Sequence, residues 1–308
     1  MDPDIIHIAG TEPKPAWLKI KIRYGESYPR IKEILRSKGL VTVCEEAHCP
    51  NINECWAGHG TATFMVLGDI CTRGCRFCNI KTSRKGQSVD RDEPRKLAES
   101  VAEMNLKYAV ITSVDRDDLE DEGAGHFAAC VRAIREARPT TLIETLIPDF
   151  SGRRELISLL CAAGPDVIAH NIETVERLQG KVRDRRANYA QSLAVIRAIN
   201  DGNAKIIAKT GLMVGMGETS EEVVRSMQDA FDAGARILTI GQYLKPSSRH
   251  YPLHSYIAPE QFKHYKREGE RMGYLYVAAG PFVRSSYRAA ELYVDALKRE
   301  SMRNANTI

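Results

Sequence analysis

Short runs rich in β-branched residues alternate with segments whose apolar residues recur at helical spacing, and this alternation repeats six times after residue 61. Six strands are predicted, over residues 61–69, 108–113, 141–148, 167–171, 205–214 and 237–243. Six helices are predicted between and after them, over residues 93–105, 125–138, 152–163, 186–200, 220–233 and 259–272. Strands and helices in this regular order predict a parallel sheet with right-handed crossovers.

Polar or glycine-rich segments come at the ends of five predicted strands, and they cover residues 71–78, 113–118, 170–174, 213–218 and 242–247. Carboxyl ends of parallel strands meet on one face, so a barrel brings all five segments together. A doubly wound sheet would instead concentrate them at one switch point. The predicted fold is therefore α/β, a partial (β/α)6 TIM-type barrel.

The two ends of the chain have a different pattern. Four prolines, at positions 3, 13, 15 and 29, interrupt residues 1–60, where only 28–38 has a helical pattern. Sixty residues with so many breaks bury little by themselves, which predicts an N-terminal extension that wraps the barrel. The predicted division is an extension over 1–60, a barrel over 61–273 and a C-terminal segment over 274–308, with a last strand at 274–279.

Composition removes several classes of protein. The 308 residues are 43% hydrophobic and 27% charged, with a net charge of +4 and no run of eighteen apolar residues. This is typical of a globular domain and indicates neither a membrane protein nor a dedicated nucleic-acid binder. Residues 1–10 have no basic segment followed by an apolar one, so a cytoplasmic protein is expected.

Six of the eight cysteines are clustered. Thiols stay reduced in the cytoplasm, so clustered spacing indicates metal or redox chemistry rather than disulfides. Cys130 and Cys161 stand alone on predicted helices and are expected to be small buried hydrophobic residues.

The first cluster is Cys71, Cys75 and Cys78, directly after a predicted strand. Three thiolates on one tight loop can hold three irons of a cubane cluster and leave the fourth iron open for chemistry. Arg73 and Arg76 are expected to offset the negative charge of such a cluster. The alternative is a zinc site, which would need a fourth ligand from elsewhere.

This CxxxCxxC motif, with Phe77 before its last cysteine, resembles the signature of the radical S-adenosylmethionine (SAM) superfamily. The resemblance implies a 4Fe-4S cluster whose open iron binds SAM, and SAM cleavage to a 5′-deoxyadenosyl radical that abstracts hydrogen. The residues implied to lie around SAM are Phe77, Thr112, Ser113, Asn171, Glu173, Gly215, Glu218, Gln242, Tyr243 and Leu244. Among them Asn171 and Glu173 suit a ribose, and the backbone of 242–244 suits adenine. The alternatives are that Met213 belongs to the barrel core and that Glu218 is only an acid favouring a helix N-terminus.

The second cluster is Cys44, Cys49 and Cys55, in the extension. Three thiols form a second cluster only with a fourth ligand, and His48 is the nearest local candidate. This spacing, followed by Arg-Ser-Ser-Tyr at 284–287, resembles the lipoyl synthase family, as do the segments 45–51, 114–119, 170–174 and 241–247. The resemblance implies an auxiliary 4Fe-4S cluster held by the three cysteines and by Ser285 or Ser286, beside Arg284. The alternative for 284–286 is a solvated tail.

The family resemblance implies radical insertion of two sulfur atoms, at C6 and C8 of a protein-bound octanoyl group, with the auxiliary cluster as sulfur source. The implied partners are an octanoylated lipoyl carrier domain or H-protein, a flavodoxin- or ferredoxin-type electron donor, and an iron-sulfur repair or carrier protein. Arg183, Arg185 and Arg186 are expected to contact the carrier domain or the substrate amide, or else to form a solvated basic loop. The rival hypotheses are another radical sulfur-inserting enzyme, a two-cluster electron carrier and a zinc-stabilised binding protein.

Overall fold

A computed structural model describes residues 5–7, 14–18, 27–46, 52, 63–286, 289 and 297. The described strands are β1 (Ile5–His7), β2 (Val41–Thr42), β3 (Thr63–Val66), β4 (Ile70–Cys71), β5 (Lys81–Thr82), β6 (Tyr108–Ser113), β7 (Leu142–Leu146), β8 (Val167–Ala169), β9 (Ile207–Val214), β10 (Ile237–Gln242), β11 (Ser255–Ile257) and β12 (Tyr276–Gly280). The described helices are α1 (Ser27–Ser37), α2 (Val43–Glu46), α3 (Glu93–Glu103), α4 (Ala124–Ala137), α5 (Arg154–Ala162), α6 (Gln179–Val182), α7 (Tyr189–Gly202), α8 (Ser220–Asp232) and α9 (Pro259–Met272).

The central sheet has eight strands in the order β12-β10-β9-β8-β7-β6-β3-β2. Every pair from β3 to β12 is parallel, and β2 alone is antiparallel. The parallel strands follow one another in chain order, and consecutive crossover helices pack against each other along one face. This strand order is that of a partial (β/α) barrel and differs from that of a doubly wound sheet. The predicted α/β class with a parallel sheet is confirmed, and the sheet is consistent with the predicted partial barrel.

The sheet is buried on both faces. Ala109 and Ile111 of β6 pack into the main core beneath the helices, while Tyr108 and Val110 point to the opposite face and are also buried. Burial on both sides explains the continuous β-branched runs from which the strands were predicted.

Several predicted boundaries shift by a few residues, for local reasons. The first barrel strand ends at Val66 because Leu67 and Gly68 take positive φ angles of 69° and 86°. The helix predicted from residue 186 begins at Tyr189, since the Asn188 side chain accepts a hydrogen bond from the backbone N–H of Gln191 at 2.8 Å. The helix predicted over 152–163 begins at Arg154, because a 3₁₀ turn occupies Phe150–Gly152. The sequence pattern does not predict the short strands β1, β2, β4, β5 and β11.

The described parts of the N-terminal extension pair with strands in two different sheets. Strand β1 pairs antiparallel with β11, and β2 pairs antiparallel with β3. The division at residues 60 and 273 stays a prediction. Cys130 and Cys161 are buried on α4 and α5, as expected from the sequence. None of the helices in the described ranges is long and apolar enough to cross a bilayer.

Candidate active site at the carboxyl ends of the strands

The loop from Cys71 to Cys78 follows β4 and is tied to the ends of two other units. The backbone N–H of Thr72 donates to the carbonyl of Asp115 at 3.0 Å, just after β6. The backbone N–H of Arg76 donates to the carbonyl of Val182 at 2.8 Å, and that of Gly74 donates to the Asp184 carboxylate at 2.8 Å. The barrel therefore fixes the conformation of the cysteine loop from two directions.

Each of the three thiols lies near a backbone N–H donor. The N–H of Arg73 lies 3.4 Å from Cys71 Sγ, and that of Asp184 lies 3.3 Å from Cys75 Sγ. The backbone N–H of Ile80 acts to lower the pKa of the Cys78 thiol and so favours its thiolate form. Hydrogen bonds of this kind to thiolate sulfurs are one of the means by which proteins tune iron-sulfur clusters. The residues present thus fit a cluster with three cysteine ligands.

Burial raises the pKa of all three thiols above the ordinary value, to about 12 for Cys75 and about 11 for Cys78. The pKa of Cys71 is raised further, because the Asp115 carboxylate lies 3.5 Å from its sulfur. The thiols are therefore protonated at neutral pH until a cationic iron centre displaces the protons.

In the part of the chain that the structure describes, no three His, Cys, Asp or Glu side chains converge on a point where they would hold one metal ion. A cubane cluster does not require such a point, since each thiolate binds a different iron. The zinc alternative for Cys71, Cys75 and Cys78 does require it.

A buried charge network lies under the cysteine loop. The Arg73 guanidinium, 2% exposed, binds Asp117 at 2.7 Å, Asp149 at 2.8 Å and Asp115 at 3.4 Å. Arg186 adds a hydrogen bond to the carbonyl of Thr72 at 2.6 Å and an ion pair to Asp117. The expectation that Arg73 offsets the charge of a cluster needs correction, because three carboxylates already surround its guanidinium.

The three arginines expected to meet a partner have different environments. Arg183 donates to Ser192 Oγ at 2.8 Å and to Gln179 Oε1 at 3.2 Å, and Arg186 is held across the cysteine loop. Arg185 is exposed. Arg186 is exposed as well, although it contacts the cysteine loop. The hypothesis of a solvated or partner-binding basic loop therefore rests on Arg185 and Arg186, since internal contacts hold Arg183.

The segment after β8 carries two of the residues expected around SAM. Asn171 Nδ2 donates to Ser285 Oγ at 2.8 Å, and Asn171 Oδ1 is buried without a partner among the described residues. Glu173 takes a positive φ of 66°, a strained conformation that is frequent at functional sites. Burial raises the pKa of Glu173, whose charge in turn acts on Cys78, so this carboxyl lies near the cysteine loop.

Hydrogen bonds within the segment after β9 fix its conformation. The Glu218 carboxylate accepts hydrogen bonds from the backbone N–H groups of Gly215 and Met216, the latter at 2.9 Å, and burial raises its pKa. Gly215 has φ +105°, and a Cβ there would lie 2.2 Å from Gln242 Nε2. Glu218 therefore shapes the loop after β9, and its expected contact with SAM stays a prediction.

The Gln242 side chain links the end of β10 to β9 and β11 by hydrogen bonds. Its amide donates to the carbonyls of Val214 and Ser255 at 3.1 and 3.0 Å, and its oxygen accepts from the N–H of Ile257 at 2.8 Å. Tyr243 is buried, with its hydroxyl donating to the carbonyl of Tyr251 at 2.8 Å. These side chains hold the end of the sheet. The backbone here is partly engaged as well, because the N–H of Tyr243 donates to the carbonyl of Val214 at 2.8 Å, so the adenine contact expected of 242–244 stays a prediction.

The other expected SAM contacts also lie at this end of the sheet. Thr112 Oγ1 donates to the carbonyl of Leu146 at 2.9 Å, whereas Ser113 Oγ is buried without a partner among the described residues. Phe77 packs against the main core, and Leu244 is half-buried. The unsatisfied oxygens of Ser113 and Asn171 fit hydroxyl or ammonium donors of a ligand such as SAM.

The C-terminal segment enters the same region. Arg284, Ser285 and Ser286 are half-buried, and Ser285 reaches Asn171 as described above. The solvated-tail alternative is therefore wrong for 284–286. Cys44 lies on α2, partly buried against the core, beside Val43, which packs near Cys71. Cys49 and Cys55 lie outside the described residues, as do His48 and Tyr287.

Sequence reasoning missed the roles of Asp117 and Asp149. The signal was present in part, because the acidic run at 115–118 follows a strand. Asp149 follows β7 and gives no sign in the sequence of its contact with Arg73, 76 residues away.

Comparisons with known proteins agree with this architecture. Residues 65–230 match the model of the radical SAM superfamily, and residues 9–49 match that of the N-terminal domain of lipoyl synthase. The FeFe-hydrogenase maturase of Carboxydothermus hydrogenoformans superposes with a TM-score of 0.55 at 15% identity, over 76% of this chain and 65% of that one. Methylornithine synthase superposes with a TM-score of 0.54 at 11% identity, over 81% of this chain and 74% of that one. The fold and the cysteine loop thus define a radical SAM protein.

Relatives at higher identity narrow the class. The chain is 53% identical over 291 residues to a lipoyl synthase of Halobacterium salinarum, covering 93% of each. It is 49% identical to a lipoyl synthase of Methanocella arvoryzae, over 95% of this chain and 98% of the relative. It is 51% identical to the mitochondrial lipoyl synthase 1 of Pisum sativum, over 92% of this chain and 77% of that protein. The chain belongs to the lipoyl synthase family.

Proposed function

We propose that this chain is a lipoyl synthase, which inserts sulfur at C6 and C8 of an octanoyl group carried on a lysine of a protein. The observation that carries the proposal is the meeting of two elements at one end of the barrel. The loop of Cys71, Cys75 and Cys78 lies there, and so does the C-terminal serine segment, anchored by the 2.8 Å hydrogen bond from Asn171 to Ser285.

Family membership implies one 4Fe-4S cluster and SAM. The C–H bonds at C6 and C8 are unactivated, so acid-base catalysis by side chains cannot break them. When bound, this cluster and SAM supply a carbon radical that removes hydrogen from such bonds. Cys71, Cys75 and Cys78 would hold the cluster. The backbone N–H groups of Arg73 and Asp184 donate to the sulfurs of Cys71 and Cys75.

The chain's other polar groups at the mouth orient the ligands. Ser113 Oγ and Asn171 Oδ1 present acceptors that lack partners among the described residues, as a site for SAM hydroxyl or ammonium groups requires. Glu173 and Asp115 place carboxyls beside the cysteine loop. Glu218 fixes the loop after β9 through the backbone of residues 215 and 216.

A second 4Fe-4S cluster is the proposed sulfur source. Cys44, Cys49 and Cys55 would hold it, with Ser285 or Ser286 as an oxygen ligand. A serine oxygen is a harder donor than a thiolate and is more readily displaced from iron. Val43, next to Cys44, packs in the same group as Cys71, which supports a position of the extension close to the first cluster.

The proposed partners follow from the reaction. The substrate is an octanoylated carrier protein, such as a lipoyl domain or H-protein, and electrons come from a flavodoxin- or ferredoxin-type donor. An iron-sulfur carrier protein would rebuild the consumed cluster. We place the reaction in the cytoplasm.

The test uses the reconstituted protein under anaerobic conditions, with SAM, dithionite and an octanoyl-lysine peptide. Mass spectrometry should detect a lipoyl peptide together with 5′-deoxyadenosine, and Cys75→Ala should yield neither. Free octanoic acid should be a very poor substrate. A site that admits a long arm attached to a protein must stay open to solvent, so it does not enclose a free small molecule. Formation of 5′-deoxyadenosine with an unmodified peptide would contradict the proposed substrate.

A further inference from the structure

The C-terminal segment crosses directly over the end of β10. Gly241 lies beneath Val283, and a Cβ built on Gly241 would stand 2.1 Å from the Val283 carbonyl oxygen and 3.1 Å from its carbonyl carbon. The obstacle is backbone, which cannot rotate away as a flexible side chain can. Gly241 is not among the residues with positive φ, so what the position requires is space rather than an unusual conformation.

Two hydrogen bonds hold the crossing segment on either side of β9. Arg284 Nη1 donates to the carbonyl of Gln242 at 3.3 Å, at the end of β10. Asn171 Nδ2 donates to Ser285 Oγ at 2.8 Å, at the end of β8. The segment thus spans three neighbouring strands of the sheet, β10, β9 and β8.

A second glycine clears the space between these anchors. A Cβ at Gly211 of β9 would lie 2.7 Å from Asn171 Oδ1 and 2.8 Å from Thr239 Oγ1. A side chain there would displace the Asn171 amide, which is the group that reaches Ser285. The adjacent strands β10 and β9 therefore carry glycine at two positions. Gly241 leaves room for the Val283 backbone, and Gly211 leaves room for the Asn171 amide.

We propose that Gly241 and Asn171 are positioning residues for the serine segment: Gly241 admits the Val283 backbone at the barrel mouth, and Asn171 fixes the Ser285 hydroxyl. The inference rests on the proposed function, in which one of the two serines binds the auxiliary cluster. Loss of either positioning residue then weakens the auxiliary cluster and leaves the three thiol ligands of the first cluster in place.

The test uses the full-length chain with Cys71, Cys75 and Cys78 all changed to Ala, so that only the auxiliary cluster assembles. Iron and sulfide are supplied anaerobically, and the electron paramagnetic resonance (EPR) spectrum of the reduced cluster and iron loss to a chelator are measured. Gly241→Ala is compared with Gly280→Ala. Gly280 pairs with Gly241 in the parallel register, and its Cβ would make an ordinary 3.4 Å contact with a Val283 methyl.

Gly241→Ala should change the spectrum and raise the rate of iron loss by about tenfold, the usual effect of displacing a group that orients a ligand. Gly280→Ala should match the parent in both measurements. Asn171→Ala removes the hydrogen bond without adding bulk, so it should change the spectrum in the same way with a smaller rise in iron loss. If Gly241→Ala does not fold, the spectrum of Asn171→Ala alone tests the positioning role.

Parent-like spectra for both Gly241→Ala and Asn171→Ala would overturn the positioning role. Ser285→Ala and Ser286→Ala in the same background separate this failure from that of the proposed function. If one serine variant changes the spectrum while the two positioning variants do not, serine ligation stands and the positioning role is wrong. If neither serine variant changes it, serine ligation fails and the positioning role fails with it.

Discussion

Several polar residues at the barrel mouth stabilise the fold although their type suggests chemistry. His170 is the clearest case, because both ring nitrogens are engaged: Nδ1 lies 3.0 Å from the carbonyl of Ile147 and Nε2 lies 2.9 Å from Ser192 Oγ. Burial, aided by the positive charge of Arg183, lowers the pKa of His170 to about 4. The buried imidazole is therefore neutral at physiological pH.

His170 should make stability depend on pH. In the unfolded chain His170 is protonated as the pH falls below its ordinary pKa of about 6.5. In the folded protein the imidazole stays neutral until the pH approaches its lowered pKa of about 4. The stability present above pH 6.5 is therefore lost as the pH falls through this window, by up to about 3 kcal/mol. Urea unfolding between about pH 7 and pH 5 checks this against His170→Gln, which should lose less stability over the range. Equal losses in both proteins would contradict it.

Among the elements, the parallel strands could be predicted from sequence because burial on both faces leaves continuous apolar runs. The segments between them could not. The ribbon of β4 and β5 has two residues per strand, and β11 has three, which is too short for any periodicity. The buried charge pairs were also invisible, since they join residues on different strands.

One such pair joins β7 and β9 on the face of the sheet opposite the helices. Lys209 Nζ lies 2.7 Å from Glu144 Oε1, both side chains are 1% exposed, and Tyr108 donates to Glu144 Oε2 at 2.6 Å. Lys209→Met leaves a buried carboxylate without its cation and should cost about 3–5 kcal/mol of unfolding free energy.

The matched control for Lys209→Met is the double variant with Glu144→Gln, which keeps an acceptor for the Tyr108 hydroxyl. It should recover most of the loss, because no uncompensated charge remains in the sheet. Thermal unfolding of the two variants beside the parent measures the difference. A double variant as unstable as the single one would show that packing, and not charge, dominates at this position.

At the scale of the whole molecule, Val43 of the N-terminal extension and the described part of the C-terminal segment, 283–286, lie where the first cluster is expected. The convergence of the strand ends could be predicted from the sequence, because parallel order fixes it. The seating of Ser285 on Asn171 could not be, since the two residues are 114 positions apart and only the crossing over Gly241 brings them together.

The two cysteine triads should act independently in assembly. Changing Cys71, Cys75 and Cys78 to Ala should abolish SAM cleavage and leave one cluster. Changing Cys44, Cys49 and Cys55 to Ala should preserve 5′-deoxyadenosine formation and abolish sulfur transfer. Iron content and product analysis by mass spectrometry check both. Lipoyl product from the second triple variant would disprove the assignment of the sulfur source.

The origin of the inserted sulfur can be followed with an isotope. The protein is reconstituted with isotopically heavy sulfide, separated from free sulfide, and given SAM, reductant and the octanoyl-lysine peptide. If the auxiliary cluster is the sulfur source, the product should be a lipoyl peptide in which both sulfur atoms are heavy. No more than one lipoyl group per chain should form, because a cluster whose sulfide leaves in the product is consumed. Light sulfur in the product, or many turnovers without loss of cluster iron, would contradict this role of the cluster.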